Sequence, residues 1–137
     1  MSSVDRLDFF VSLADNMNAH PERFTILGDA DMNVVIEMTN GSEPFRVGLA
    51  FEGLRCADVV AATDTDAKSA DYRLVGTVSD WTEMFGDIKT HGRATGQYTI
   101  NSLALLGDRI RLLGDDPMGL DKFSRFNQTL QEFLDGV

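Results

Sequence analysis

The sequence predicts an α+β fold in a single domain over residues 1–137. Strand-like segments are grouped in the middle of the chain rather than alternating with helices, which is typical of the α+β class. Segments with apolar residues at helical spacing precede and follow those strands. The chain length also fits one domain with one hydrophobic core.

Composition and charge argue against several classes of function. The apolar content of 43% and the charged content of 25% are ordinary for a globular domain. A net charge of −10 would repel a phosphate backbone or an anionic membrane surface. No apolar run approaches the ~18 residues that a bilayer requires, and the start, MSSVDRLDFF, lacks the pattern of a signal peptide. We therefore expect a cytoplasmic protein with no nucleic-acid partner and no stable membrane insertion.

The first predicted element is a helix over residues 4–18. Ser2 or Ser3 would cap it, and Asp8 suits its positive end. Its predicted buried face consists of apolar residues at helical spacing, namely Leu7, Phe10, Val11, Ala14 and Met17.

Four predicted strands follow this helix. Residues 32–38 and 45–53 alternate between apolar and more polar positions, which predicts a sheet with one covered face. Asn40-Gly41 between them indicates a hairpin turn. The third and fourth strands are predicted at residues 54–61 and 72–78, separated by a polar loop at 63–71.

The second half of the chain begins with a predicted helix that ends near Ile88. Ser79 or Asp80 is expected to cap it, with Glu83 completing a capping box. One face of this helix is apolar, because Trp81, Met84, Phe85 and Ile88 lie at i, i+3, i+4 and i+7.

The remaining elements are less regular. Residues 98–106 fit either a short helix or an extended segment. A fifth strand is predicted at residues 109–113, between turns at Gly107 and Gly114. Asp116-Pro117 starts the last helix, because Asp caps and Pro favours the first helical position. Its apolar stripe consists of Leu120, Phe123, Phe126, Leu130 and Phe133.

Metal-binding motifs are incomplete in this sequence. Asp29, Asp31 and Asn33 have the first ligand spacings of a calcium-binding EF-hand loop. The glycine that such a loop needs is replaced by Val34, and its last ligand would be Asn40 rather than Glu. We therefore predict no metal site.

Catalytic motifs are equally scarce. A general base at His91 would need a nucleophile such as Thr90 or Thr95 nearby, and Asp80 is better explained as a helix cap. Nucleophile-elbow, phosphate-loop and dinucleotide-binding motifs are all missing from the sequence. Cys56 is read as a small apolar strand residue rather than a reactive thiol. No cofactor is predicted.

The C-terminal half resembles the sterol carrier protein-2-like family, in which a strand leads to an Asp followed by an apolar helix, and a glycine-flanked strand leads to a final helix. The resemblance is good over residues 72–128 and only topological over residues 1–71. Pro117 departs from the family pattern. The matching positions are Asp80, Trp81, Gly107, Ile110, Leu112, Gly114, Asp115, Met118, Leu120 and Phe123.

The resemblance implies a five-stranded, mainly antiparallel sheet covered by helices. It also implies an apolar tunnel between sheet and helices that takes a fatty acid, an acyl-CoA or a sterol-like lipid without catalysing a reaction. A buried CH₂ group contributes about 0.8 kcal/mol, so a long chain needs few polar contacts. The expected ligand contacts are Trp81, Met84, Phe85, Leu103, Leu106, Met118, Leu120, Phe123 and Phe126.

Three functional hypotheses remain open at this point. The first is a non-enzymatic lipid carrier, and the second is an interaction module whose apolar face is filled by its own side chains or by a second copy in a homodimer. The third is a small enzyme that acts on an apolar substrate with His91 or Asp80 as the base. A carboxylate with a raised pKa inside a cavity would favour the enzyme.

Overall fold

A computed structural model describes residues 4–105 and 109–137. Its helices are α1 (Leu7–Ala19), α2 (Glu22–Thr25), α3 (Asp64–Ser69), α4 (Val78–His91), α5 (Ile100–Leu105) and α6 (Pro117–Leu134). Its strands are β1 (Ala30–Thr39), β2 (Phe45–Gly53), β3 (Arg55–Ala61), β4 (Tyr72–Thr77) and β5 (Arg111–Leu113). A 3₁₀ turn over Gly96–Tyr98 precedes α5. The predicted α+β class is confirmed.

The five strands form one mixed sheet in the order β3-β2-β1-β4-β5. The pairs β1–β2, β2–β3 and β4–β5 are antiparallel, whereas β1 and β4 run parallel. The expectation of a mainly antiparallel sheet is therefore confirmed. The central strand is β1, which lies between β2 and the later strand β4.

One face of the sheet carries the hydrophobic core. The alternation predicted for the first two strands is confirmed, because Met32, Val34, Ile36 and Met38 of β1 are all buried. Helices α1, α2, α4, α5 and α6 and the inward-facing residues of β2, β3 and β4 contribute most of the other buried side chains of the same cluster. Helix α3 lies at the opposite face, where Asp66 and Ser69 border a groove over outward-facing residues of β1 and β2. No described helix is long and apolar enough to span a membrane.

The first helix differs from its prediction. It begins at Leu7 rather than at residue 4, and Arg6 occupies the N-cap position without a side-chain cap. The predicted capping residues Ser2 and Ser3 lie outside the described residues. The predicted face is also wrong in part, because Leu7 and Val11 are 38% and 39% exposed. The buried face is instead formed by Phe10, Leu13, Ala14 and Met17.

The start of α4 also differs from its prediction. The N-cap is Thr77, whose hydroxyl accepts from the Asp80 N–H at 3.0 Å, so Ser79 and Asp80 are not the cap. Asp80 occupies the third helical position, and its carboxylate accepts from the Thr77 N–H. The capping box is therefore Thr77–Asp80, and Glu83 pairs instead with Arg109.

Two short helices were missed by the sequence prediction. The first is α2, which follows Pro21. The second is α3, which lies inside the predicted polar loop and is held by a capping box between Thr63 and Asp66. Residues 100–105 form a helix, so the extended alternative is wrong there. The fifth strand is shorter than predicted, because it starts at Arg111.

Candidate functional site

Helix α4 holds three of the sequence-predicted ligand residues in the core. Trp81, Met84 and Phe85 are buried, as their helical spacing predicts. The indole N–H of Trp81 donates to the backbone oxygen of Glu37 in β1 at 3.3 Å. A Cβ atom at Gly76 would lie 3.1 Å from the indole nitrogen, so the glycine leaves the space that Trp81 occupies over the sheet.

Helix α6 supplies the second set of predicted residues. Asp116 caps the helix as predicted, because its carboxylate accepts from the Met118 N–H at 3.0 Å. Phe123 is buried, whereas Leu120 and Phe126 are partly buried against the same core. Met118 is 77% exposed and therefore does not face the interior. The helix presents an apolar face to the sheet only from its first full turn onward.

The segment between these two helices is described in part. Leu103 of α5 is buried in the shared core. Leu106 and Gly107 lie outside the described residues. The structure thus brings together seven of the nine predicted residues in one cluster, namely Trp81, Met84, Phe85, Leu103, Leu120, Phe123 and Phe126.

Aromatic side chains form a proximal cluster where α1 meets α4, consisting of Phe9, Phe10, Phe45 and Phe85. The Phe9 ring packs edge-on against Phe85 with centroids 4.8 Å apart, and against Phe10 at 5.3 Å. Phe10 stacks on Phe45, which pairs with Met38 at the end of β1. Only Phe85 of this cluster is a predicted ligand residue, because assigning the other three requires knowing that α1 packs beside α4.

A distal cluster lies beneath α6, consisting of Phe51, Tyr72, Phe123 and Phe133. Phe51 and Phe133 meet edge-on at 5.1 Å, and Tyr72 meets Phe123 edge-on at 5.5 Å. Met32 joins the two pairs, because it lies opposite Phe51 in the sheet and its sulfur accepts a hydrogen bond from the Tyr72 hydroxyl. Strand alternation predicts that Phe51 faces inward, and the apolar stripe of the last helix contains Phe133, but no local pattern predicts that these two rings meet.

A surface groove of about 380 Å³ opens against the proximal cluster and is called here the α1–α4 groove. Phe9, Leu13 and Val137 are its apolar lining, and Phe9 also touches Phe85 inside the core. The Phe9 ring therefore separates the groove from the predicted ligand residues. The lining residues are Arg6, Asp8, Phe9, Ser12, Leu13, Lys89, Gly136 and Val137.

The arrangement around His91 does not fit nucleophilic catalysis. Its Nδ1 lies 3.0 Å from an Asp87 carboxylate oxygen, but the Thr95 hydroxyl donates to Asp87 rather than to His91. The Thr90 hydroxyl donates to the Gly86 carbonyl in the same helix. Neither hydroxyl is therefore placed for activation by the imidazole.

The remaining reactive groups have structural surroundings. Burial alone would raise the pKa of Asp80, but hydrogen bonds from Thr77 and Arg109 outweigh it and leave the pKa lowered. Burial raises the pKa of the Cys56 thiol to about 11, which keeps it protonated and unreactive near neutral pH. The interpretation of Cys56 as a buried strand residue is confirmed. Among the described residues, no three His, Cys, Asp or Glu side chains could hold a metal ion.

One carboxylate matches the enzyme hypothesis by its pKa alone. Burial raises the pKa of Asp135, which borders a groove of about 470 Å³ at the end of α6. One of its oxygens accepts from the Ala94 N–H at 3.2 Å and from the Gln131 amide at 2.8 Å. The contact with Ala94 joins the end of α6 to the segment after α4, whereas the contact with Gln131 lies within the end of α6, so Asp135 links two parts of the fold.

The interaction-module hypothesis expects the apolar face of the helix over residues 81–88 to be filled either by the chain's own side chains or by a second copy in a homodimer. That face is already buried within one chain, because Trp81, Met84, Phe85 and Ile88 all belong to the core. A second copy could not cover it without displacing the sheet beneath.

Comparisons with protein-family models, curated proteins and solved structures each give no significant match.

Proposed function

We propose that this protein binds an apolar ligand between the sheet and helices α4 and α6, and carries it without chemical change. The observation that carries this proposal is the position of Phe9. Its ring lines the α1–α4 groove on one side and contacts Phe85 of the interior on the other. Displacement of the Phe9 ring would bring a ligand in the groove against Phe85.

The dimensions of the covered face suit an acyl chain. Met38 lies by the proximal cluster and Met32 by the distal cluster, six residues apart on β1. At about 3.3 Å per strand residue, the interior between them is about 20 Å long. An acyl chain spans roughly half of the ~30 Å hydrocarbon core of a bilayer. The ligand class proposed is therefore a fatty acyl or sterol-like molecule.

The side chains along this path suit a ligand that displaces them. Methionine is unbranched and adapts its shape, and Met32, Met38 and Met84 lie at both ends and on α4. Each CH₂ group transferred from water contributes about 0.8 kcal/mol, which offsets the loss of ligand freedom once the chain is long. The resemblance to the sterol carrier protein-2-like family supports the same ligand class.

The single tryptophan provides a direct test. Trp81 is buried beside the proposed path, so its emission should pass to bound diphenylhexatriene, an apolar fluorophore that absorbs where indole emits. We expect saturable energy transfer at one probe per chain. Native mass spectrometry of protein purified without detergent should also detect a retained lipid. The absence of both energy transfer and retained lipid would contradict the proposal.

A variant of Phe9 tests the route. Phe9→Ala removes the ring between groove and interior, so the probe should associate and dissociate several-fold faster while its affinity changes less. Val11→Ala on the exposed side of the same helix serves as the control and should leave both rates unchanged. Equal rates in all three proteins, measured by stopped-flow energy transfer, would place the route elsewhere.

A further inference from the structure

The hydroxyl of Tyr72 is a strong hydrogen-bond donor inside an apolar region. Tyr72 is the first residue of β4 and is 0% exposed. Its hydroxyl lies 3.2 Å from the sulfur of Met32, and its ring packs edge-on against Phe123. A thioether sulfur is a weak acceptor, so this donor is only weakly satisfied.

A phenylalanine would fill the same space without that weakly satisfied group. Moving a hydroxyl out of water without a good acceptor is unfavourable, and buried tyrosine hydroxyls ordinarily find an oxygen partner. Packing against Phe123 needs only the ring. The hydroxyl at this position therefore has only the weak acceptor that the Met32 sulfur provides.

Tyr72 stands at the far end of the proposed ligand path. It pairs with Val34 in the parallel register between β1 and β4, and its hydroxyl reaches Met32 in the distal cluster. A ligand that passes Phe9 and extends about 20 Å along β1 would bring its leading end to this hydroxyl.

We propose that the Tyr72 hydroxyl selects ligands that carry a neutral oxygen, a hydroxyl or a carbonyl, at the end lying beneath α6. This inference rests on the proposed function. A carboxylate does not suit the position, because an unpaired charge is costly to bury. The neighbouring Asp71 carboxylate adds a negative charge there, and Lys122 is already paired with it at 3.3 Å.

A pair of ligands equal in length isolates this contact. Hexadecan-1-ol and hexadecane, both supplied from cyclodextrin, would compete with diphenylhexatriene for wild-type protein and for Tyr72→Phe. The wild type should prefer the alcohol, and Tyr72→Phe should reduce that preference by about three- to tenfold, the range for one net hydrogen bond. Tyr98→Phe makes the same chemical change on the other tyrosine, which is partly exposed, and should keep the wild-type preference.

A second variant acts in the opposite direction. Met32→Leu removes the sulfur that competes for the hydroxyl proton, so the preference for the alcohol should rise above the wild-type value. Circular dichroism and a urea titration establish that each variant is folded.

The outcomes separate the two proposals. If wild-type protein takes up no probe, the proposed function fails and this inference fails with it. If wild type binds the probe but Tyr72→Phe keeps the full alcohol preference, carriage of an apolar ligand stands and the contact with Met32 is only structural.

Discussion

At the scale of single residues, Gly119 allows helix α6 to approach the backbone of Asp71 more closely than any residue with a side chain could. A Cβ built at this position would lie 2.3 Å from the Asp71 carbonyl oxygen, closer than real Cβ atoms come to other atoms. Lys122, one turn later in α6, pairs with the Asp71 carboxylate at 3.3 Å. The start of α6 therefore packs directly against the backbone of Asp71, just before β4, and is joined to it by the ion pair with Lys122.

We expect Gly119→Ala to destabilise the fold by about 3 kcal/mol, because neither the helix nor the strand backbone can yield cheaply. Gly86→Ala is the matched control on α4, where a Cβ would meet nothing within 4 Å. It should stabilise the fold by about 0.5–1 kcal/mol through helix propensity. Urea unfolding of both variants measures the two changes in the free energy of unfolding. Equal changes would show that the close contact between Gly119 and the Asp71 backbone does not matter for stability.

At the scale of elements, the outer edge of β3 is closed by a side chain of α1. The amide oxygen of Asn18 accepts from the Cys56 N–H at 2.9 Å, and its NH₂ group donates to the Cys56 carbonyl at 3.0 Å. The side-chain amide thus pairs with the strand as a neighbouring backbone would. Farther along β3, the Val59 N–H is bonded by the Asp58 carboxylate. Exposed strand edges invite pairing with other chains, and these contacts block it.

Asn18→Ala should therefore have two effects. Loss of both hydrogen bonds should destabilise the fold by about 1–2 kcal/mol. The freed edge of β3 should also promote self-association, visible by sedimentation velocity at rising concentration. Asn101→Ala, at an exposed position of α5, is the control and should produce neither effect. Destabilisation without association would mean that another contact protects the edge.

The elements themselves were predictable where a local pattern is strong. Period-2 alternation identified the core face of β1 and β2, and the i, i+3, i+4, i+7 spacing identified the buried side of α4. In α1 two apolar stripes lie side by side, and only packing against β3 decides that Leu13 is buried and Leu7 exposed. Helix α3 was missed because its capping box uses Asp66, whereas the expected pattern ends in Glu or Gln.

At the scale of the whole molecule, Asp135 ties the end of α6 to the segment between α4 and α5. It accepts from the Ala94 N–H, and its partner Gln131 accepts from the Ile100 N–H at 2.6 Å. Burial raises the pKa of Asp135 and the Glu132 carboxylate adds to this effect, while hydrogen bonds and Arg93 partly offset it. The covering layer of helices is thus closed by a carboxylate that is more easily protonated in the folded state.

This closure predicts a pH dependence of global stability. Because the folded pKa is raised, the contribution of Asp135 is fully present below its unfolded pKa and is lost as pH rises through the folded value. The asparagine in Asp135→Asn cannot ionise, so the variant does not lose this contribution. Its free energy of unfolding, relative to that of wild type, should therefore increase from about pH 4 to about pH 7.

Urea unfolding at both pH values measures the difference between wild type and Asp135→Asn. Asp121→Asn removes the same charge from an exposed position on α6 and controls for the net charge of −10. A pH-independent difference between wild type and Asp135→Asn would contradict the assignment.

The candidate site was only partly predictable, because several of its residues are defined by how distant elements pack against each other. The residues from α4 and α6 follow from their helical stripes, but the exposure of Met118 depends on how the first turn of α6 projects beyond the core. The roles of Phe9 and Tyr72 depend on which elements become neighbours. The parallel pairing of β1 with β4 places Tyr72 near Met32, and no local pattern specifies that pairing.

The strand order also determines how the chain can assemble as it is synthesised. One neighbour of strand β1 is β2, which follows it directly in the chain, but its other neighbour, β4, begins only at Tyr72. Until β4 has been synthesised, the meander β1-β2-β3 leaves one edge of the central strand β1 unpaired. Long-range parallel pairing is slow, and an open strand edge in that interval can capture another chain. The recovery of folded protein therefore depends on how fast β4 docks beside β1.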